Sequence, residues 1–170
     1  MEEVNFDNIV HDNARDGIDL ASENAGVLER VRVHDNLVYR NGHNGMTFAA
    51  WGENVPHHVI RDLEVDHNTF WGNGTGHWGG GIVFENKEAA NLRVHHNIIS
   101  DNKSFLIAME AKPVSFSITK NLVHGFRGYE NETRGEDFLE TDPLFKDPQA
   151  GDFHLSEGSS AKGYGSNYLK

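Results

Sequence analysis

The sequence contains no cysteine, which excludes disulfide stapling and thiolate metal sites and leaves the redox compartment open. No apolar run approaches the ~20 residues of a membrane-spanning helix. The opening Met1-Glu2-Glu3-Val4 lacks the basic and apolar regions of a secretory leader, so none is expected within these residues. Basic residues are scarce, 15 Lys and Arg against 26 Asp and Glu, for a formal net charge of −11. Nonspecific nucleic-acid binding needs clustered Lys and Arg against phosphates, so the balance counts against that class and makes cations natural partners. Hydrophobic residues are few as well, at 37% with a mean hydropathy of −0.59. Ten Phe and well-spread Val, Ile and Leu still argue against disorder, and 170 residues argue for one domain.

What is abundant is Gly (18), His (11) and Asn, and the asparagines fall in a repeat. Val33–Val38, Val65–Phe70, Val94–Ile99 and Ile118–Val123 share the pattern apolar-x-x-Asn-x-apolar, and Asn5–Val10 aligns with them with Asn5 in the first apolar place. Their asparagines, Asn8, Asn36, Asn68, Asn97 and Asn121, are 28, 32, 29 and 24 residues apart. A second Asn follows five residues later at Asn13, Asn41, Asn73 and Asn102, and Phe126 takes that place in the fifth copy. A further short strand follows in four copies: Gly17–Leu20, Gly45–Phe48, Gly81–Phe84 and Leu106–Met109, the last with Leu in place of Gly. Four extra residues precede it in the third copy, within Gly74–Gly81.

Alternation with period 2 and the lack of a sustained 3.6-residue period predict short strands and no helix. Unequal loops on a constant strand pattern are the signature of a solenoid. The expected fold is all-β: a right-handed parallel β-helix of about five rungs with an irregular C-terminal cap. Its handedness follows from the general rule for parallel crossovers. The repeats would span residues 4–137 and the capping tail 138–170. Inward positions would be Val33, Val38, Met46, Phe48, Val65, Phe70, Ile82, Phe84, Val94, Ile99, Ile107, Met109, Ile118 and Val123. The turn asparagines would form a hydrogen-bonded ladder along the stack, themselves adopting the left-handed corner conformation. Little precedes the first repeat to cover it. That predicts a fragment of a longer chain, or self-association through the uncapped N-terminal rung.

These repeats resemble the bacterial right-handed parallel β-helix proteins of the pectate lyase-like superfamily. The stretch Asp142–Ala161 looks like the segment closing many secreted members, where Pro usually stands at the place of Ser160. The resemblance implies a carbohydrate-associated protein, extracellular or periplasmic, with a polysaccharide or oligosaccharide as partner. It leaves open a polysaccharide lyase, a glycoside hydrolase, or a non-catalytic glycan-binding or structural module.

The groove expected to matter is the outer face of the sheet holding Ile18, Met46, Ile82 and Ile107. Alignment places Asp19, Thr47, Val83 and Ala108 in one outward column, then Ala21, Ala49, Glu85 and Glu110, then Glu23, Trp51, Lys87 and Lys112. Glu85 and Glu110 would lie roughly 4.8 Å apart on adjacent strands, a repulsive arrangement unless a cation intervenes. Lys87 and Lys112 could supply it in a cross-strand ladder. Alternatively Ca²⁺ could be held by Glu85 and Glu110 with Asp19.

In the lyase reading that the resemblance suggests, the cation neutralises a uronate, and Lys112 or Lys87 removes the acidified proton. His77 and His43 are alternative proton carriers, His43 also placed to touch substrate. Trp51 and Trp78 are the expected sugar-stacking residues, with Trp78 equally suited to plug an apolar surface. The outward His34, Asp66 and His95, beside Asp35, His67 and His96, read as a solvated face rather than a metal site.

Overall fold

The computed structural model of the chain describes residues 2–22, 26–50 and 59–169. It is a parallel β-solenoid whose short strands stack into three sheets. The first sheet contains Glu2–Phe6, Val31–His34, Val59–Asp66, Ala90–His95 and Phe116–Thr119, with Val27–Glu29 beside the third of these. The second contains Ile9–His11, Leu37–Tyr39, Thr69–Trp71, Ile98–Ser100, Leu122–His124 and Leu139–Glu140. The third contains Ile18–Leu20, Met46–Phe48, Ile82–Phe84 and Ile107–Met109 in parallel.

Period-2 alternation decides which side chains enter the narrow interior. Thirteen of the fourteen expected inward residues are buried, and Met109 is half-buried against the same core. Phe48 and Phe84 stack at 4.5 Å, one coil above the other, as an in-register parallel sheet requires.

Corners are held by two asparagine columns. Along Asn8, Asn36, Asn68, Asn97 and Asn121, each Nδ2 donates to the next Oδ1 at 2.8–3.0 Å. Along Asn13, Asn41, Asn73 and Asn102 the same bond is 2.9–3.0 Å. The left-handed residue is not the Asn, as expected, but the one before it: Asp7, Asp35, His67, His96 and Lys120, at φ between 51° and 55°. Kinking there turns the Asn side chain under the corner, where its amide meets the next coil.

The solenoid makes about three turns, fewer than the five rungs expected. All three sheets keep step over only four strands, because Glu132–Thr133 pairs antiparallel with Ile107–Met109 and ends the third sheet. A Cβ on Gly17, Gly45 or Gly81 would lie 2.4–2.8 Å from a carbonyl oxygen of the next coil. At the corresponding Leu106 the neighbour is a side chain, Glu132, whose Oε1 accepts from the Leu106 N–H at 2.7 Å. Leu replaces Gly in the copy where no parallel coil follows.

Residues 126–141 then cover the last coil, Glu132–Thr133 running antiparallel to it while Glu136 and Leu139–Glu140 still pair in parallel. Phe126 packs on the core with the Arg134 guanidinium 3.5 Å from its ring centroid. From Pro143 the chain runs back along the outside of the second sheet. Phe153, Ala161 and Leu169 bury Leu37, Tyr39, Trp71, Ile98 and Leu122 there. The Tyr168 hydroxyl reaches the Asp7 carbonyl at 2.6 Å, so the tail spans the stack to its first coil.

Candidate functional site

The third sheet brings Ile18, Met46, Ile82 and Ile107 into the expected register, with Asp19, Thr47, Val83 and Ala108 on its outer side. This face is not the open groove expected: Thr47, Ala49, Val83 and Ala108 are all buried. Over its later strands lie Phe105 and Tyr129, which form a small apolar cluster with Val83 and Ala108. Trp78 packs against both rings, at 5.1 Å from Phe105 and 6.3 Å from Tyr129, and remains 40% exposed. It is thus partly a plug and partly an exposed indole at the rim. Trp51 and Glu23 lie outside the described residues.

Gly74–Gly81 carries Trp78 and the exposed His77 outward and then returns to the stack. Glycine is required at the return, because a Cβ on Gly79 would lie 2.5 Å from the His43 carbonyl and one on Gly80 2.3 Å from that of Phe105. His43 is half-buried between loops, its N–H donating to the Arg15 carbonyl at 3.1 Å.

Beyond the aromatic cover the face turns acidic. Glu85 is half-buried, and burial pushes its carboxyl up, helped by the negative charges of Asp16, Asp19 and Glu110; Arg15 pulls the other way. Glu110 is exposed and receives the Tyr129 hydroxyl, which raises that phenol, and the Asn131 amide at 3.4 Å. Asp16 is held by the Asn44 backbone and side-chain amides, both at 2.9 Å.

Strand alternation could not reveal Arg15, Asp16 or Tyr129, because all three stand on loops outside the repeat. Lys87 and Lys112 are exposed, and among the described residues neither forms an ion pair with Glu85 or Glu110. Asp19 and Glu85 stand two strands apart, with the Thr47 strand between them. Among the described residues no three His, Asp or Glu side chains converge as a metal site.

The histidine-rich corner is a network of paired side chains. Asp66, 1% exposed, accepts from Arg32 Nε and Nη2 at 2.8 and 2.7 Å and pairs with His67 Nδ1 at 2.8 Å. Burial works against ionisation there, but these donors outweigh it and hold the carboxyl down at about 2. His95 Nε2 meets Glu64 at 2.8 Å, and His34 Nδ1 meets Asp35 at 2.8 Å. Beside this corner the returning tail borders a half-open cavity of about 480 Å³, which the repeat pattern gave no means of foreseeing.

No family model, no curated protein and no solved structure matches the chain. Fold and site together define a class: a parallel β-solenoid with an acidic, aromatic-rimmed outer face.

Proposed function

We propose that the protein is a glycan-associated β-solenoid acting outside the cytoplasm, engaging an acidic polysaccharide at the rim of the third sheet. The observation that carries this reading is Trp78, held on Phe105 and Tyr129 yet 40% exposed; the acidic strip of Glu85, Asp19 and Glu110 on the same sheet would take a uronate only across a bridging cation such as Ca²⁺. An indole so placed stacks on a sugar ring while carboxylates and amides accept and donate to hydroxyls. The resemblance of the repeats to the pectate lyase-like group supports the compartment and the class of partner. A catalytic form of the reading, β-elimination on a uronate polymer, is favoured by Lys87 and Lys112. Both ammonium groups are exposed and unpaired with the glutamates, so they are available to receive substrate carboxylates.

Affinity electrophoresis in gels containing uronic-acid or neutral polysaccharides tests the binding. Retardation by a uronate polymer is expected, and Trp78→Ala should weaken it by roughly tenfold, about the worth of one stacked aromatic, with a modest fall in melting temperature as Phe105 and Tyr129 lose their partner. Migration unaffected by every polymer would overturn the proposal. Lyase activity would appear as a near-ultraviolet-absorbing unsaturated product that Lys112→Ala or Lys87→Ala diminishes.

A further inference from the structure

The cavity beside the histidine-rich corner exists because the tail is pinned at two points. The Gly165 N–H donates to the His96 carbonyl at 2.9 Å, and the Ser166 N–H donates to Thr69 Oγ1 at 3.1 Å. The cavity is half-open, and its volume of about 480 Å³ falls in the range of small-molecule sites. Leu155, Ala161 and Leu169 contribute apolar walls, two of them from the buried side of the tail.

The polar side chains on the lining are Asp35, His67, Lys162, Tyr164, Ser166 and Asn167, and they are unevenly matched. Ser166 lines it at 2% exposure, and its Oγ has no hydrogen-bond partner among the described residues. Buried hydroxyls in native proteins nearly always have one. Lys162 stands on the lining, exposed and without an ion pair among the described residues. His67 also lines the cavity and has Nδ1 committed to Asp66. The one carboxylate on the lining, Asp35, is already engaged by His34 at 2.8 Å.

We infer that this cavity binds a small amphipathic carboxylate, with its apolar body on the Leu155, Ala161 and Leu169 walls and its anionic end taking the Ser166 hydroxyl and the Lys162 ammonium. A cationic guest would meet the Lys162 ammonium, and the one carboxylate on the lining, Asp35, is already engaged by His34. A wholly apolar guest would leave the Ser166 hydroxyl unpaired in a drier site. An anionic end accepts from the Ser166 hydroxyl and at the same time matches the charge of the Lys162 ammonium.

The test is a titration of the full chain with 2-naphthoate, followed by amide chemical shifts, with 2-naphthylmethanol as the uncharged counterpart. Shifts are expected at Gly163, Gly165 and Ser166, with naphthoate binding about tenfold tighter than the alcohol. Lys162→Gln, at an exposed position, should erase that preference, and Ser166→Ala should weaken both ligands while the remaining spectrum stays in place. Three outcomes would overturn the site: no shifts in the tail at millimolar ligand, equal affinity for the two compounds, or a preference untouched by Lys162→Gln. Because this cavity lies on the second sheet's flank, none of these outcomes bears on glycan binding at the third sheet.

Discussion

A buried asparagine in this protein is a corner fastener with nearly every hydrogen-bonding site in use. Asn97 donates its N–H and Nδ2 to Asn121 Oδ1, both at 3.0 Å, and its Oδ1 receives the same pair from Asn68 at 2.9 and 3.0 Å. Asn97→Ala leaves donors and acceptors unpaired in two coils, an expected cost of about 3 kcal/mol by urea unfolding. Asn8→Ala, at the exposed end of the column, should cost less than about 1 kcal/mol. Equal losses at the two positions would refute the ladder as a source of stability.

Asp66 makes a prediction of defined sign. Its folded carboxyl, at about 2, lies below the ordinary 3.8, so its contribution is fully present above pH 4 and is lost as pH falls towards 2. The interval corresponds to about 2 kcal/mol. Asp66→Asn should flatten that part of an acid-unfolding curve, and an unchanged curve would show the Arg32 pair to be irrelevant.

At the scale of elements, strand register follows from which residues permit close stacking. Gly81→Ala places a Cβ 2.4 Å from the Leu106 carbonyl oxygen and 2.7 Å from Ile99 Cγ2. It should lower stability by about 2 kcal/mol, measured as a shift in denaturant midpoint. Much of this scale was legible in the sequence. The inward residues, the Asn columns and the pairing of Ile18, Met46, Ile82 and Ile107 all follow from a short repeating pattern. Two departures visible in the pattern, Leu106 for Gly and Phe126 for Asn, fall in the last coils, where Glu132–Thr133 ends the third sheet, and a count of repeats gives them no weight. The candidate site was less legible. Glu85 and Glu110 came from alternation, but the Arg15 charge acting on Glu85 and the Tyr129 cover come from loops with no period to read.

For the whole molecule, the tail is what closes the second sheet. Its return is gated by Gly165, at φ 70°, where a Cβ would meet Leu169 Cδ1 at 2.6 Å, Thr69 Oγ1 at 2.7 Å and Ile98 Cδ1 at 2.8 Å. Gly165→Ala should lift this segment, uncover Ile98 and open the tail to limited proteolysis while the coils persist. A protease-resistant variant with an unchanged melting temperature would contradict this account. The same lifting would abolish the cavity that Ser166 and Lys162 line.

By itself the sequence determined the solenoid: its period, its inward face and its polar corners, because each depends on residues a fixed number of positions apart. Only the tertiary structure decided what lies over the sheets. Thr47, Val83 and Ala108 were expected to face a groove and are buried, and Leu37, Trp71 and Ile98 are covered by a tail that runs along a flank of the stack. The physical reason is that strand alternation specifies which side of a sheet a residue takes. What that side meets is chosen by non-repeating segments far along the chain, through packing that no local pattern encodes.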